Sequence, residues 1–335
     1  MTSSRTPGTA PISQGGLRIL VWHRHGSWTT SFVHGPHTYL VPATADRGPD
    51  GRGRSQTVTW PDNAVEVEPG RLHDERIDVV VLQRPDELEL TRLWTGRRPG
   101  VDLPAVYVEH DTPRGPAGPD RHPVADRDDI PIAHVTHFNQ MWWDNGRAPN
   151  TVIEHGIVDP GHRWTGTVPH AGVVVNEPVR RSHIAGTDLL PRLSRGAPLD
   201  VFGMQVRDLP QVLGCDRITP HEDLPQPKMH AELAARRVYL HPYRWTSLGL
   251  ALLEAMHLGM PVVAVAATEV SEAVPPEAGV VSTRMDALID AVAAFTADPD
   301  RAREAGEAAR RAVLSRYSLE RFLTDWTALL HEVRR

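Results

Sequence analysis

Ten short apolar runs, each ending in polar residues and separated by amphipathic stretches, constrain this chain more than any other feature. The first five are LRILVW (17–22), IDVVVLQ (77–83), AVYVEH (105–110), IAHVTH (132–137) and TVIEHG (151–156). The second five are GVVVNEP (172–178), LDVFGM (199–204), RRVYLHP (236–242), MPVVAVA (260–266) and AGVVST (278–283). Strands buried on both faces look like this, and a parallel sheet covered by helices is what buries them. Helical stretches such as GLALLEAMHLG (249–259) and MDALIDAVAAF (285–295) lie between runs of the second series. A chain of 335 residues is too long for one ordinary core. Two α/β series in tandem are therefore expected, with the boundary near residues 160–170. The final segment adds an amphipathic helix: Leu319, Phe322, Leu323, Trp326, Leu329, Leu330 and Val333 share one face, behind a Ser318 N-cap. Its apolar stripe must dock on one domain or across both.

Composition narrows the function classes. A formal net charge of -6 argues against a general nucleic-acid binder. Cys215 is the only cysteine, so no intrachain disulfide can form and no thiolate cluster can hold zinc. Residues 1–16 lack the apolar segment of a signal peptide and read as a disordered leader. No apolar run approaches the roughly 20 residues of a membrane span, and a cytoplasmic enzyme is expected. Residues 45–56 and 111–129 are too long and irregular for tight connections; they read equally as functional loops or as surface.

The stretch VWHRHGSWTTSFVHGPHTYLVP (21–42) carries His23, His25, His34 and His37. His34 and His37 have a spacing that can serve zinc on a helix, yet no acidic or cysteine partner accompanies them. The reading is a metal-free substrate loop, with one or two histidines lining an acceptor pocket and the others ordinary polar residues.

In HPYRWTSLGLALLEAMHLGMPVVAVAATEVSEAVP (241–275) a strand ends at Pro242 and a helix opens near Ser247, Leu248 and Gly249. Free amides at a helix start, with a glycine permitting close approach, suit a diphosphate. Glu254 lies on that helix, where a carboxylate could accept two ribose hydroxyls. The stretch resembles the donor-binding segment of GT-B glycosyltransferases, specifically the retaining glycosyltransferase family 4. That family's pattern is a Glu, seven residues, a second Glu, Ala-Met, then Gly-x-Pro-Val-Val. LLEAMHLGMPVVA matches the second Glu, at Glu254, and the residues after it; the first Glu falls at Thr246. TVIEHGIVDP (151–160), AVYVEHDTP (105–113), HEDLPQPKMHAELAARRVYLHP (221–242) and RYSLERFLTDWTALL (316–330) resemble further segments of the family.

The resemblance implies an α/β chain of the GT-B class: two Rossmann-like parallel-sheet domains facing a cleft, with a C-terminal helix crossing back. Residues 17–165 would form the acceptor-side domain, 166–316 the donor-side domain, and 317–335 the returning helix. His110 would face the donor sugar, and Thr246, Ser247, Leu248, Gly249 and Glu254 would hold the donor. His221 falls in the segment that reads the base. The family's Arg/Lys pair is absent, and Arg180 and Arg181 are expected to take the cationic role at the diphosphate. Gly26 and Ser27 would offer amides from the opposite side, with His23, His25, His34 and His37 toward the acceptor.

The activity implied is metal-independent, retaining transfer of a sugar from a UDP- or GDP-sugar to a small acceptor, with no resident cofactor, nucleic-acid partner or membrane segment. The change at Thr246 keeps other readings open: an inactive nucleotide-sugar-binding partner protein, or a GT-B relative such as an NDP-sugar epimerase or a phosphorylase. An NAD-linked enzyme is disfavoured because no Gly-x-Gly-x-x-Gly follows LRILVW.

Overall fold

The computed structural model describes residues 15–113 and 120–335. Most of the expected leader, and the centre of the 111–129 segment, thus lie outside the described residues. The chain forms two all-parallel sheets. The first holds β1 (Arg18–Val21), β2 (Thr38–Pro42), β3 (Ala64–Val67), β4 (Val79–Leu82), β5 (Ala105–Glu109), β6 (Ile132–His134) and β7 (Asn150–Val152), in the order β3-β2-β1-β4-β5-β6-β7. The second holds β8 (Val168–Val174), β9 (Leu199–Gly203), β10 (Ile218–Glu222), β11 (Arg236–His241), β12 (Val262–Val265) and β13 (Gly279–Ser282), in the order β10-β9-β8-β11-β12-β13. Central strands are apolar along their length because helices cover both faces; β4, VVVL, is buried at every position.

Among the described residues eight helices have six residues or more: α1 (Gly26–Phe32), α2 (Asp86–Thr95), α3 (His137–Trp142), α4 (Gln226–Ala235), α5 (Leu250–Leu258), α6 (Met285–Ala297), α7 (Pro299–Arg316) and α8 (Leu319–Val333). Residues 21–42 are not a loop. Trp28 and Phe32 have helical spacing and both are buried in α1, while Tyr39, Leu40 and Val41 are the buried centre of β2. Among the described residues no helix is long and apolar enough to cross a membrane.

The stripe of α8 goes back to the first sheet. Phe322, Trp326 and Leu330 share one core with Trp28, Phe32, Val81, Val106 and Val108. Trp326 meets Trp28 and Phe32 edge-on, with ring centroids 5.6 and 5.2 Å apart. Gly156 makes this approach possible, since a Cβ there would stand 2.3 Å from the Phe322 Cβ. The crossing is tied by Arg316, which pairs with Glu154, and by Arg321, which donates to the carbonyls of Glu154 and His155.

Candidate active site

Each sheet reverses its winding once, between β1 and β4 in the first and between β8 and β11 in the second. Ligands of open α/β sheets bind outside the carboxyl ends of the strands at such switch points. Here the residues after β1, β4, β5, β8 and β11 converge on one cleft between the two sheets. Among the described residues four hydrogen bonds cross it. Ser27 Oγ donates to Glu254 Oε1 (2.8 Å), and Ser247 Oγ to the His110 carbonyl (2.7 Å). Trp245 Nε1 donates to the Pro113 carbonyl (2.7 Å), and the Phe138 amide to Glu269 Oε2 (2.8 Å).

Glu254 is the centre of the donor side. It is buried inside α5, not on a solvated face. Its carboxylate also lies 3.4 Å from Gln226 Nε2 and 3.2 Å from His230 Nε2, both on α4. A carboxylate ringed by hydroxyl, amide and imidazole groups is built to accept, and a diol could replace Ser27 and Gln226 without leaving the charge unpaired. Helix α5 starts after Gly249, whose missing side chain matters: a Cβ there would lie 2.5 Å from the buried His241 ring. Leu248 and Ser247 are buried and Thr246 half-buried, so the segment is packed against the cleft wall.

The two arginines differ. Arg180 is exposed and forks onto Glu177, with Nε 3.0 Å from Oε1. Arg181 is half-buried, lies 5.9 Å from the centre of the Tyr243 ring, and has no ion pair among the described residues. Its charge is felt at His25, together with those of Arg84 and Arg24. Arg84, just past β4, is a cation that the sequence reading did not single out; its Nε is 3.8 Å from Asp86.

The structure brings only some of the sequence-proposed residues together. His25 stacks on His110 at 3.9 Å, and Trp28 meets His110 edge-on at 5.0 Å. Burial holds His110 well below the ordinary imidazole range, helped by neighbouring His25 and His155, so the ring is neutral. His25 is lowered too, mainly by burial. Gly26 opens α1 and is exposed toward the cleft side. The other three histidines do not gather there. His23 packs on Trp60 and binds the Gly53 carbonyl at 3.0 Å. His34, past the far end of α1, folds back to the Thr30 carbonyl. His37 is buried before β2, accepts from the Leu17 amide, and faces Thr327 on α8. It stands at the amino ends of the strands, opposite the cleft, because α1 carries the chain away from it. His34 and His37, expected toward the acceptor, are thus placed away from the cleft.

His221 is likewise committed. It stacks on Phe202 at 4.4 Å and binds Asp200 at 2.7 Å, in a network that includes Arg236 and His170. Its ring serves the sheet face beneath α4. Among the described residues no group of three or more His, Cys, Asp or Glu side chains is placed to hold a metal.

Sequence reasoning missed Gln83, Glu87, His155 and Glu269. Gln83, Glu87 and Glu269 are bonded into the cleft walls. His155 is buried near His25, and neither ring nitrogen has a partner among the described residues. One rule signals Gln83 and His155: both are polar residues just past an apolar run.

Two doubly wound parallel sheets facing one cleft, with a last helix returning to the first sheet, define the GT-B fold. Residues 213–312, which hold α4, β11, α5 and β12, match the family described as Glycosyl transferases group 1. The whole chain resembles sucrose-phosphate synthase from Thermosynechococcus elongatus (TM-score 0.71, 14% identity, 95% of this chain and 99% of that one). It also resembles Anabaena HepE, in a structure holding UDP and glucose (TM-score 0.70, 13% identity, 94% and 100%). Staphylococcus aureus TarM matches over a shorter span (TM-score 0.60, 15% identity, 75% and 55%). At these identities the likeness establishes the fold. No curated protein matches the chain in sequence.

Proposed function

We propose that this protein transfers a sugar from a nucleoside-diphosphate sugar to a small-molecule acceptor, with retention at the anomeric carbon and without a metal. The observation that carries the reading is Glu254: a buried carboxylate at the cleft, inside the group 1 segment, reached by Ser27 from the opposite domain. Glu254 would accept the ribose hydroxyls in place of Ser27 and Gln226. Arg181 and the amides at the start of α1 would face the diphosphate from opposite walls, neutralising the leaving group as it departs. His110 would meet the sugar. Catalysis of this kind is positioning and electrostatic stabilisation, with the leaving phosphate taking the acceptor proton on the same face.

UDP is the first nucleotide to test, because the HepE structure holds UDP and glucose. A thermal-shift series with UDP, GDP and ADP should show one preferred diphosphate. The matching sugar nucleotide should then yield glycosylated product from an acceptor panel, in EDTA as without it. Tight donor binding with no transfer to any acceptor would instead support the inactive-partner reading, which the change at Thr246 keeps open. Absence of stabilisation by all three diphosphates would overturn the assignment.

A further inference from the structure

Gln83 is the first residue past β4 and is 6% exposed. Both ends of its side-chain amide are committed. Nε2 donates to the Trp22 carbonyl at 2.8 Å, and a carbonyl only accepts, so the amide cannot be turned over. The atom 3.1 Å from His110 Nε2 is therefore Oε1, which also only accepts. It follows that His110 Nε2 carries the ring proton and Nδ1 carries the lone pair.

The rest of the wall holds this arrangement rigid. The Gln83 backbone N–H donates to Glu87 Oε2 at 2.6 Å, and Glu87 Oε1 accepts from Arg24 Nε at 2.6 Å. The Arg24 and Glu87 side chains are only 5% and 0% exposed. Arg24 is fixed in turn by the Pro49 carbonyl and by Asp50, while its own amide bonds the Trp22 carbonyl. His25 covers one face of the His110 ring, and Trp28 stands at its edge. A flip of the His110 ring would give up its bond to Gln83.

We propose that Gln83 is a positioning residue: it locks His110 as the Nε2–H tautomer, so that Nδ1 accepts a hydroxyl proton of the donor sugar. The site then takes sugars that present a hydroxyl at that point and rejects those that present a carboxylate or a bare hydrogen. The sugar half rests on the function proposed above. The tautomer half rests on the hydrogen bonds alone.

The two halves are tested separately on the full chain. Long-range ¹H–¹⁵N spectra of the imidazole rings should show the parent His110 with its proton on Nε2. Gln83→Met, which keeps the side chain's length and loses its polar atoms, should give mixed tautomers. In calorimetry Gln83→Met should bind UDP-glucose about tenfold more weakly than the parent, the loss of one oriented hydrogen bond, with UDP affinity unchanged. A parent ring protonated on Nδ1 overturns the proposal, and that measurement stands even if the variant fails to fold. A variant with altered tautomers but parental UDP-glucose affinity overturns the sugar half. If the parent binds UDP but no UDP-sugar from a panel of hexoses, the glycosyl-transfer reading fails instead, and the spectra still decide what Gln83 does.

Discussion

Replacing Trp326 is the sharpest test of how α8 is docked. The ring is 1% exposed and packs on Trp28, Phe32 and Phe322. A buried tryptophan removes about 150–250 Å² from water, worth about 4–6 kcal/mol at about 25 cal/mol per Å². One feature works against it: Nε1 is buried with no hydrogen-bond partner among the described residues. Leaving that donor unpaired costs about 1–3 kcal/mol, which truncation returns. Trp326→Ala should therefore destabilise by about 3 kcal/mol, the low end of the usual range for such truncations. For a cooperative unit of about 150–250 residues this lowers Tm by about 6–12 °C. Trp326→Phe keeps most of the apolar area and sheds the unpaired donor, so it should stay within about 1 kcal/mol of the parent. Urea titration of the three proteins measures both numbers. Because Trp326 backs Trp28, and Trp28 meets His110, the alanine variant should also bind nucleoside diphosphate more weakly. A parental midpoint for Trp326→Ala would refute the docking, and equal losses for both variants would refute the argument about the unpaired N–H.

Further outcomes are expected from the donor side, the diphosphate walls and the buried histidines. Glu254→Ala should weaken nucleoside-diphosphate binding by about 1.5–3 kcal/mol with the fold retained, by calorimetry and circular dichroism. Arg181→Ala should reduce diphosphate but not nucleoside affinity, whereas Arg180→Ala, whose charge already faces Glu177, should change either little. Gly26→Val should resemble Arg181→Ala; a Cβ at Gly26 meets nothing within 4 Å, so any loss reports on the ligand and not the fold. Burial lowers His155 and His241 to about 3, and His37 and His134 to about 4. These groups titrate near 6.5 when unfolded, so stability is complete above that pH and is lost as pH falls from there toward the folded values. Each group should contribute about 1.4 kcal/mol per pH unit across its window, and an unchanged urea midpoint between pH 7.5 and pH 5 would contradict the burial of these rings.

The ten apolar runs locate ten of the thirteen strands found among the described residues. The missed strands share a physical cause. β3 and β10 are edge strands, wet on one side, and read as AVEV and ITPHE with no long apolar run. Pro220 in β10 looks like a strand breaker but is tolerated at an edge. β2 is masked by the histidines around it, whose spacing suggests a loop although Tyr39, Leu40 and Val41 are an ordinary buried run. In the site, Glu254 was legible because one contiguous segment carries it. Its contact with Ser27 was not, since 227 residues separate the two. Nor could sequence divide Arg180 from Arg181, because what separates them is which one lies against Glu177 in space.

The return of α8 also has a consequence for how the chain is made. The core that surrounds Trp28, Phe32 and Val106 includes Phe322, Trp326 and Leu330. Roughly 170 residues separate the end of β7 from the start of α8, about 10–30 s of translation. Through that interval the socket that Phe322, Trp326 and Leu330 fill on the first sheet has no occupant. Folding of the first domain thus waits on the second, and the half of the protein synthesised first is the half completed last.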